Sequence, residues 1–124
     1  MGSLNKGKTP TKIPRAVTIL NRVHLAHYTM ENRELEREIV MLFLAQLPET
    51  TAMLRRAASR TDWKLATHTL KGSSAAVGAA RINALAVALE RCVFRVDSDT
   101  IKDLLKELDR SISQFRKTVS RIYG

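Results

Sequence analysis

Residues 66–90 read ATHTLKGSSAAVGAARINALAVALE, and between Gly7 and Gly124 the chain uses glycine only here, at Gly72 and Gly78. An α-helix advances about 100° per residue, so with Leu70 at zero the side chains of Trp63, Ala66, Ser74 and Val77 fall within about 40° of it. That stripe predicts a helix whose buried face runs through Val77. Gly78 then ends it as a left-handed cap residue. From Ala79 to about Val96 a second stripe, Ile82, Leu85, Leu89, Cys92 and Val96, repeats at helical spacing. The stretch is therefore a pair of antiparallel helices folded at one glycine.

Working outward, the same period governs the rest of the chain. Asn32 can cap a helix with Glu34 and Glu36 in its first turns, where the helix dipole favours acids. Its expected buried face is Leu35, Ile39, Leu42, Phe43, Gln46, Met53, Leu54 and Ala57, running to about Ser59, with a kink at Pro48. Thr61 or Asp62 is the expected cap of the helix that carries His68. Asp97, Ser98 or Asp99 starts the last helix, with a seam of Ile101, Leu104, Leu105, Leu108, Ile112, Phe115, Val119 and Ile122. A short amphipathic segment, Val17 to Tyr28, precedes them all. Nothing alternates with period two, so the expected fold is all-α: an antiparallel up-down-up-down four-helix bundle over residues 16–124 with a short additional N-terminal helix.

With 124 residues the chain suits one domain that needs no disulfide or metal to hold its core. The single Cys92 cannot pair within the chain, no Cys/His cluster has zinc spacing, and His24 with His27 supplies only two ligands. No run of about 18 apolar residues exists, so no membrane span is expected and the cytoplasm is the expected location. The net charge of +9 is concentrated at the start, where Lys6, Lys8, Lys12, Arg15 and Arg22 meet no acid. Residues 1–15 read as a basic disordered tail without aromatic residues to stack on bases. A small basic helical protein that binds nucleic acid or acts as a scaffold is the alternative class. It leaves Gly72 unexplained.

His68 lies about 160° from Leu70 on the helix and so faces outward. Its face carries Leu65, Gly72, Ala75 and Ala76, with Lys64 and Lys71 at the edge. A solvated face normally bears long charged side chains, and small residues around one imidazole leave a flat surface for another protein. A glycine inside a helix costs about 1 kcal/mol relative to alanine, so Gly72 one turn after His68 marks a place where a side chain would obstruct a partner. The alternative is a helix that ends at Gly72 with SSAAVG as a loop. Lys71 neighbours His68 at i+3 and can neutralise an anion on the ring. Counting equal rise on both sides of Gly78 brings Val87 and Glu90 close to His68, where Glu90 can accept from one ring nitrogen and leave the other as nucleophile. Such a site suits transient storage of a phosphoryl group. Val87 and Phe94 read equally well as apolar surface beside it or as core.

The run HTLKGSS, then Gly78, then Leu89-Glu90, resembles the signature of the histidine-containing phosphotransfer domain of bacterial multistep phosphorelays. The likeness covers about Val17 to Ile122. It implies a four-helix bundle whose exposed histidine takes a phosphoryl group from one receiver-domain aspartate and passes it to another. By this resemblance His68 is the phosphoacceptor, Lys71 the phosphoryl-stabilising cation and Gly72 the residue that permits close approach. Receiver docking is assigned to Lys64, Leu65, Gly72, Ala75, Ala76 and Val87, and orientation of the imidazole to Glu90. Thr67 stands where the family often has alanine, and Val77 where leucine is common.

The partners so implied are receiver domains of response regulators, with a hybrid histidine kinase as a further candidate. Neither nucleic acid nor membrane is expected, and the chain is expected as a monomer. No cofactor is expected on this chain, and Mg2+ is expected on the receiver, because the sequence has no carboxylate cluster to bind it. The histidine-bearing hairpin of sensor kinases resembles it less: that family usually has an acid after the histidine, whereas Thr69 follows here, and no glycine-rich nucleotide segment is present. ATP-dependent self-phosphorylation is therefore not expected.

Overall fold

Asn32 does cap a helix: its side-chain oxygen accepts from the Leu35 amide at 3.1 Å, and Glu34 and Glu36 stand in the first turn. The computed structural model describes residues 18–124, so the reading of residues 1–15 as a tail lies outside the described residues. The helices are α1 (Arg22–Tyr28), α2 (Arg33–Arg55), α3 (Arg60–Val77), α4 (Ala80–Arg91) and α5 (Ser98–Tyr123), with no strand among the described residues. The expected all-α class holds, including the short helix in front. α2 packs on α3, α3 on α4 and α4 on α5, and α2 also meets α5. Polar contacts give the directions. Arg33 near the start of α2 donates to the carbonyl of Ile122 at the end of α5, and Arg55 at the end of α2 pairs with Asp109 further up α5. The two helices are antiparallel.

The stripe read on α3 is buried throughout: Trp63, Ala66, Leu70, Ser74 and Val77 are each at most 5% exposed. α5 buries Leu104, Leu108, Phe115 and Val119 from its seam, and Phe115 meets Phe43 of α2 edge-on at 5.5 Å between ring centroids. Pro48 lies inside an uninterrupted α2.

The face expected on α2 is one step out of phase. Its buried residues are Glu36, Val40, Phe43, Leu47, Thr50 and Leu54, while Leu35 and Leu42 are 39% and 62% exposed. A carboxylate sits in this stripe because it is fully partnered: Arg22 donates to Glu36 from Nε and Nη2, and the Tyr123 hydroxyl donates to the same oxygen. Burial opposes the charge on Glu36, but the bonds from Tyr123 and Arg22 prevail and hold it below the usual carboxylate range. Burial and the neighbouring Glu36 push Tyr123 up to about 12. The guanidinium groups of Arg22 and Arg33 lie 5.7 and 5.4 Å from the Tyr123 ring centroid, so one cluster fastens α1, α2 and α5.

Three boundaries also differ from expectation. α2 stops at Arg55, and the cap of α3 is Ser59 rather than Thr61 or Asp62. Ser59 Oγ accepts from the Asp62 amide at 3.0 Å while the Asp62 carboxylate accepts from the Ala58 amide at 3.1 Å, a near-reciprocal arrangement that closes the helix start. α4 stops at Arg91 because the Asp97 carboxylate takes the Val93 amide at 2.7 Å and turns the chain, leaving Val96 67% exposed.

Candidate functional site

Gly78 has φ +75°, the left-handed conformation that favours glycine, and it reverses the chain with only Ala79 between it and α4. A Cβ placed on it would lie 2.9 Å from the backbone oxygen of Asn21, whose own amide donates to the Gly78 carbonyl at 2.7 Å. The hinge of the α3–α4 pair is thus also the seat of α1.

Two cross-helix bonds set how α4 lies on α3. The indole N–H of Trp63 donates to the carbonyl of Leu89 at 3.2 Å, and Asn83 Nδ2 donates to the carbonyl of Lys71 at 2.9 Å. Both bonds are made by residues next to the candidate site: Leu89 precedes Glu90, and Lys71 supplies the cation. Thr67 is fully buried, and its hydroxyl donates to the Trp63 carbonyl at 2.9 Å, so the polar atom that alanine would lack is satisfied within its own helix.

This registration puts Glu90 between the two groups on α3. Its Oε1 accepts from Lys71 Nζ at 2.7 Å, and its Oε2 lies 3.5 Å from His68 Nδ1. The His68 side chain is 71% exposed, against 35% for Lys71 and 22% for Glu90. The hydrogen bond from Lys71, aided by its charge, holds the Glu90 carboxyl below the usual carboxylate range despite partial burial. A carboxylate facing Nδ1 favours the tautomer with the proton there. Nε2 makes no hydrogen bond to a described residue, so its lone pair is available to an electrophile. The arrangement can hold a neutral imidazole with one nitrogen anchored and one open.

Around the ring, Lys64, Leu65, Gly72, Ala75 and Ala76 are all exposed, and the helix continues unbroken through Gly72 to Val77. The alternative of a loop over SSAAVG does not hold. Nothing lies within 4 Å of a Cβ placed on Gly72, so the fold itself does not require glycine there. Val87 is half-buried on α4. Phe94 stacks on Trp63 at 5.8 Å and packs against the core beyond the end of α4, rather than against the N-terminal helix. Asn83 and the Trp63–Leu89 bond were not legible as site supports. The only signal was an amide side chain one position after the buried Ile82. Among the described residues no group of three or more His, Cys, Asp or Glu side chains is placed to hold a metal ion, and no helix is long and apolar enough to cross a membrane.

No curated protein and no solved structure is significantly similar to the chain. The family model of the Hpt domain matches residues 38–118, which contain α3, α4 and most of α2 and α5. Hpt domains are helical phosphotransfer modules of phosphorelays without kinase activity of their own. An exposed histidine between a lysine and a carboxylate on such a bundle, with the family model spanning it, makes this chain a member of the Hpt domain family.

Proposed function

We propose that this chain is a phosphorelay intermediate that accepts a phosphoryl group on His68 from the aspartyl phosphate of a receiver domain and passes it to the aspartate of another receiver. The observation that carries the reading is the ring of His68, exposed on a face of small residues with Nδ1 toward Glu90 and Nε2 open. In the forward step the Nε2 lone pair attacks phosphorus in line, the N–P bond forms, and the P–O bond to the aspartate breaks with its electron pair. The aspartate leaves as a carboxylate. Nδ1 keeps its proton, and the positive ring so produced faces Glu90. The return step is the reverse, onto a second aspartate.

Catalysis of this kind is mostly positioning and charge stabilisation. In this reading Lys71 exchanges part of its hold on Glu90 for a phosphoryl oxygen, and the absence of a side chain at position 72 lets the receiver's acidic pocket approach the ring. Mg2+ belongs to that pocket, and this chain supplies none of its ligands. The basic balance of the chain, +9 overall, steers it toward an acidic surface. Work in the cytoplasm as a monomer and no reaction with ATP alone complete the reading.

The test is to incubate the chain with phosphorylated receivers and follow acid-labile phosphate. Label is expected on the original chain and not on His68→Gln, and equal labelling of the two would sink the reading. Labelling of the purified chain by ATP alone would overturn the statement that it is no kinase.

A further inference from the structure

α1 lies outside the region matched to the Hpt family, which begins at Glu38. It is nevertheless held firmly. The Asn21 amide bonds the Gly78 carbonyl, His24 Nε2 lies 3.3 Å from the carbonyl oxygen of Ala76, and Arg22 pairs with Glu36. Leu25 is fully buried beneath it. What the helix shows to solvent is apolar: Val23 is 83% exposed, Tyr28 64% and Met30 87%.

Met30 is the least comfortable of these. It has φ +52°, and Glu31 after it has φ +61°, so two consecutive non-glycine residues occupy the left-handed region. An exposed methionine there costs backbone energy without burying its side chain, a combination that is kept where the side chain has a use outside the fold. Asparagine or glycine would make the same turn more easily.

We infer that α1 and the turn after it form an apolar platform, Val23, Tyr28 and Met30, that contacts the incoming receiver domain beside the His68 face and discriminates among receivers. The inference rests on the phosphorelay reading above. Continuity decides the occupant. Ala76 is an exposed residue of the His68 face, and it is also the residue His24 touches, so the platform adjoins that face directly. Ala76 lies eight residues after His68, about 12 Å along the helix. A specific interface takes about 800 Å² from each partner, a patch about 32 Å across, so a receiver seated over His68 reaches past Ala76 onto α1. The matching receiver would carry apolar side chains to one side of its phosphorylated aspartate.

The experiment measures transfer from a panel of phosphorylated receivers to the original chain, Val23→Ser, Met30→Gly and the double variant, with thermal unfolding of each. Glycine relieves the left-handed backbone at position 30, so Met30→Gly should unfold no earlier than the original while losing its contact. For the receiver that serves the original chain best, the double variant should raise KM about tenfold with the maximal rate little changed, and the preference over other receivers should narrow. Unchanged KM and preference, with His68 still labelled in the original, overturn the platform and leave the phosphorelay reading intact. No labelling of the original by any receiver overturns both. A dimer of the original that the double variant abolishes would assign the surface to a second copy of the chain and also overturn the proposal.

Discussion

Lys71 Nζ and Glu90 Oε1 are 2.7 Å apart across the α3–α4 pair, so the cation beside His68 is held by the same carboxylate that faces its Nδ1. Removing either partner should therefore affect uptake in different ways. Lys71→Ala takes away the cation from the phosphoryl group and should slow transfer from receivers by about tenfold or more. Glu90→Ala frees Lys71 but leaves Nδ1 without its carboxylate, and a loss of about tenfold is expected from the wrong tautomer and a looser ring. Single-turnover transfer, with circular dichroism to show the helices intact, checks both.

Gly72 separates stability from access. Space for a side chain exists at this position in the folded chain, and glycine is costly inside a helix. Gly72→Ala should thus stabilise the bundle by about 0.5–1 kcal/mol. Gly72→Arg should keep the helical fold yet cut receiver transfer by about a hundredfold, because its side chain occupies the approach to His68. Thermal unfolding and transfer rates on the same samples decide it, and unchanged transfer in Gly72→Arg means the close approach does not pass over position 72.

Gly78 should behave in the opposite way. Any other residue meets both the positive φ and the Asn21 oxygen at 2.9 Å, so Gly78→Ala should destabilise by about 1–3 kcal/mol. The damage should begin at α1. Amide hydrogen exchange is expected to rise over residues 21–29 before it rises in α3.

The Glu36–Tyr123 pair predicts how stability depends on pH. Glu36 titrates lower in the folded chain than in the unfolded one, so its contribution is present above the ordinary carboxylate range and is lost as pH falls through its lowered value. Tyr123 is raised to about 12, so its contribution is full below the unfolded value of about 10 and is lost as pH rises toward 12. Denaturant unfolding between about pH 9 and 12 should show a declining midpoint that is flatter in Tyr123→Phe. Equal slopes in the two proteins would count against the assignment.

How much of this was legible depended on how far apart the interacting residues lie. The α3 stripe was readable because its apolar and small residues keep one phase from Trp63 to Val77, and the nearness of Glu90 to His68 followed from counting about one glycine. The phase of α2 was misread because the helix carries two stripes, and the one rich in leucine faces solvent while the buried one contains Glu36 and Thr50. Glu36 can be recognised as a core residue only with its partners in view, and these stand 14 and 87 positions away in the chain. The end of α4 was overrun because Val96 continues its period, whereas the chain direction there is set by a carboxylate accepting from an amide.

The cluster of Arg22, Glu36 and Tyr123 has one more consequence, concerning tethering. Because Arg22 stacks over Tyr123, whatever precedes residue 22 and whatever follows residue 123 leave the bundle from the same corner. A domain linked at either end would start from nearly the same point relative to His68. With linkers of equal length and stiffness, the two attachments should give similar effective concentrations at the histidine, so a receiver could be fused at either end with little change in how often it finds the ring.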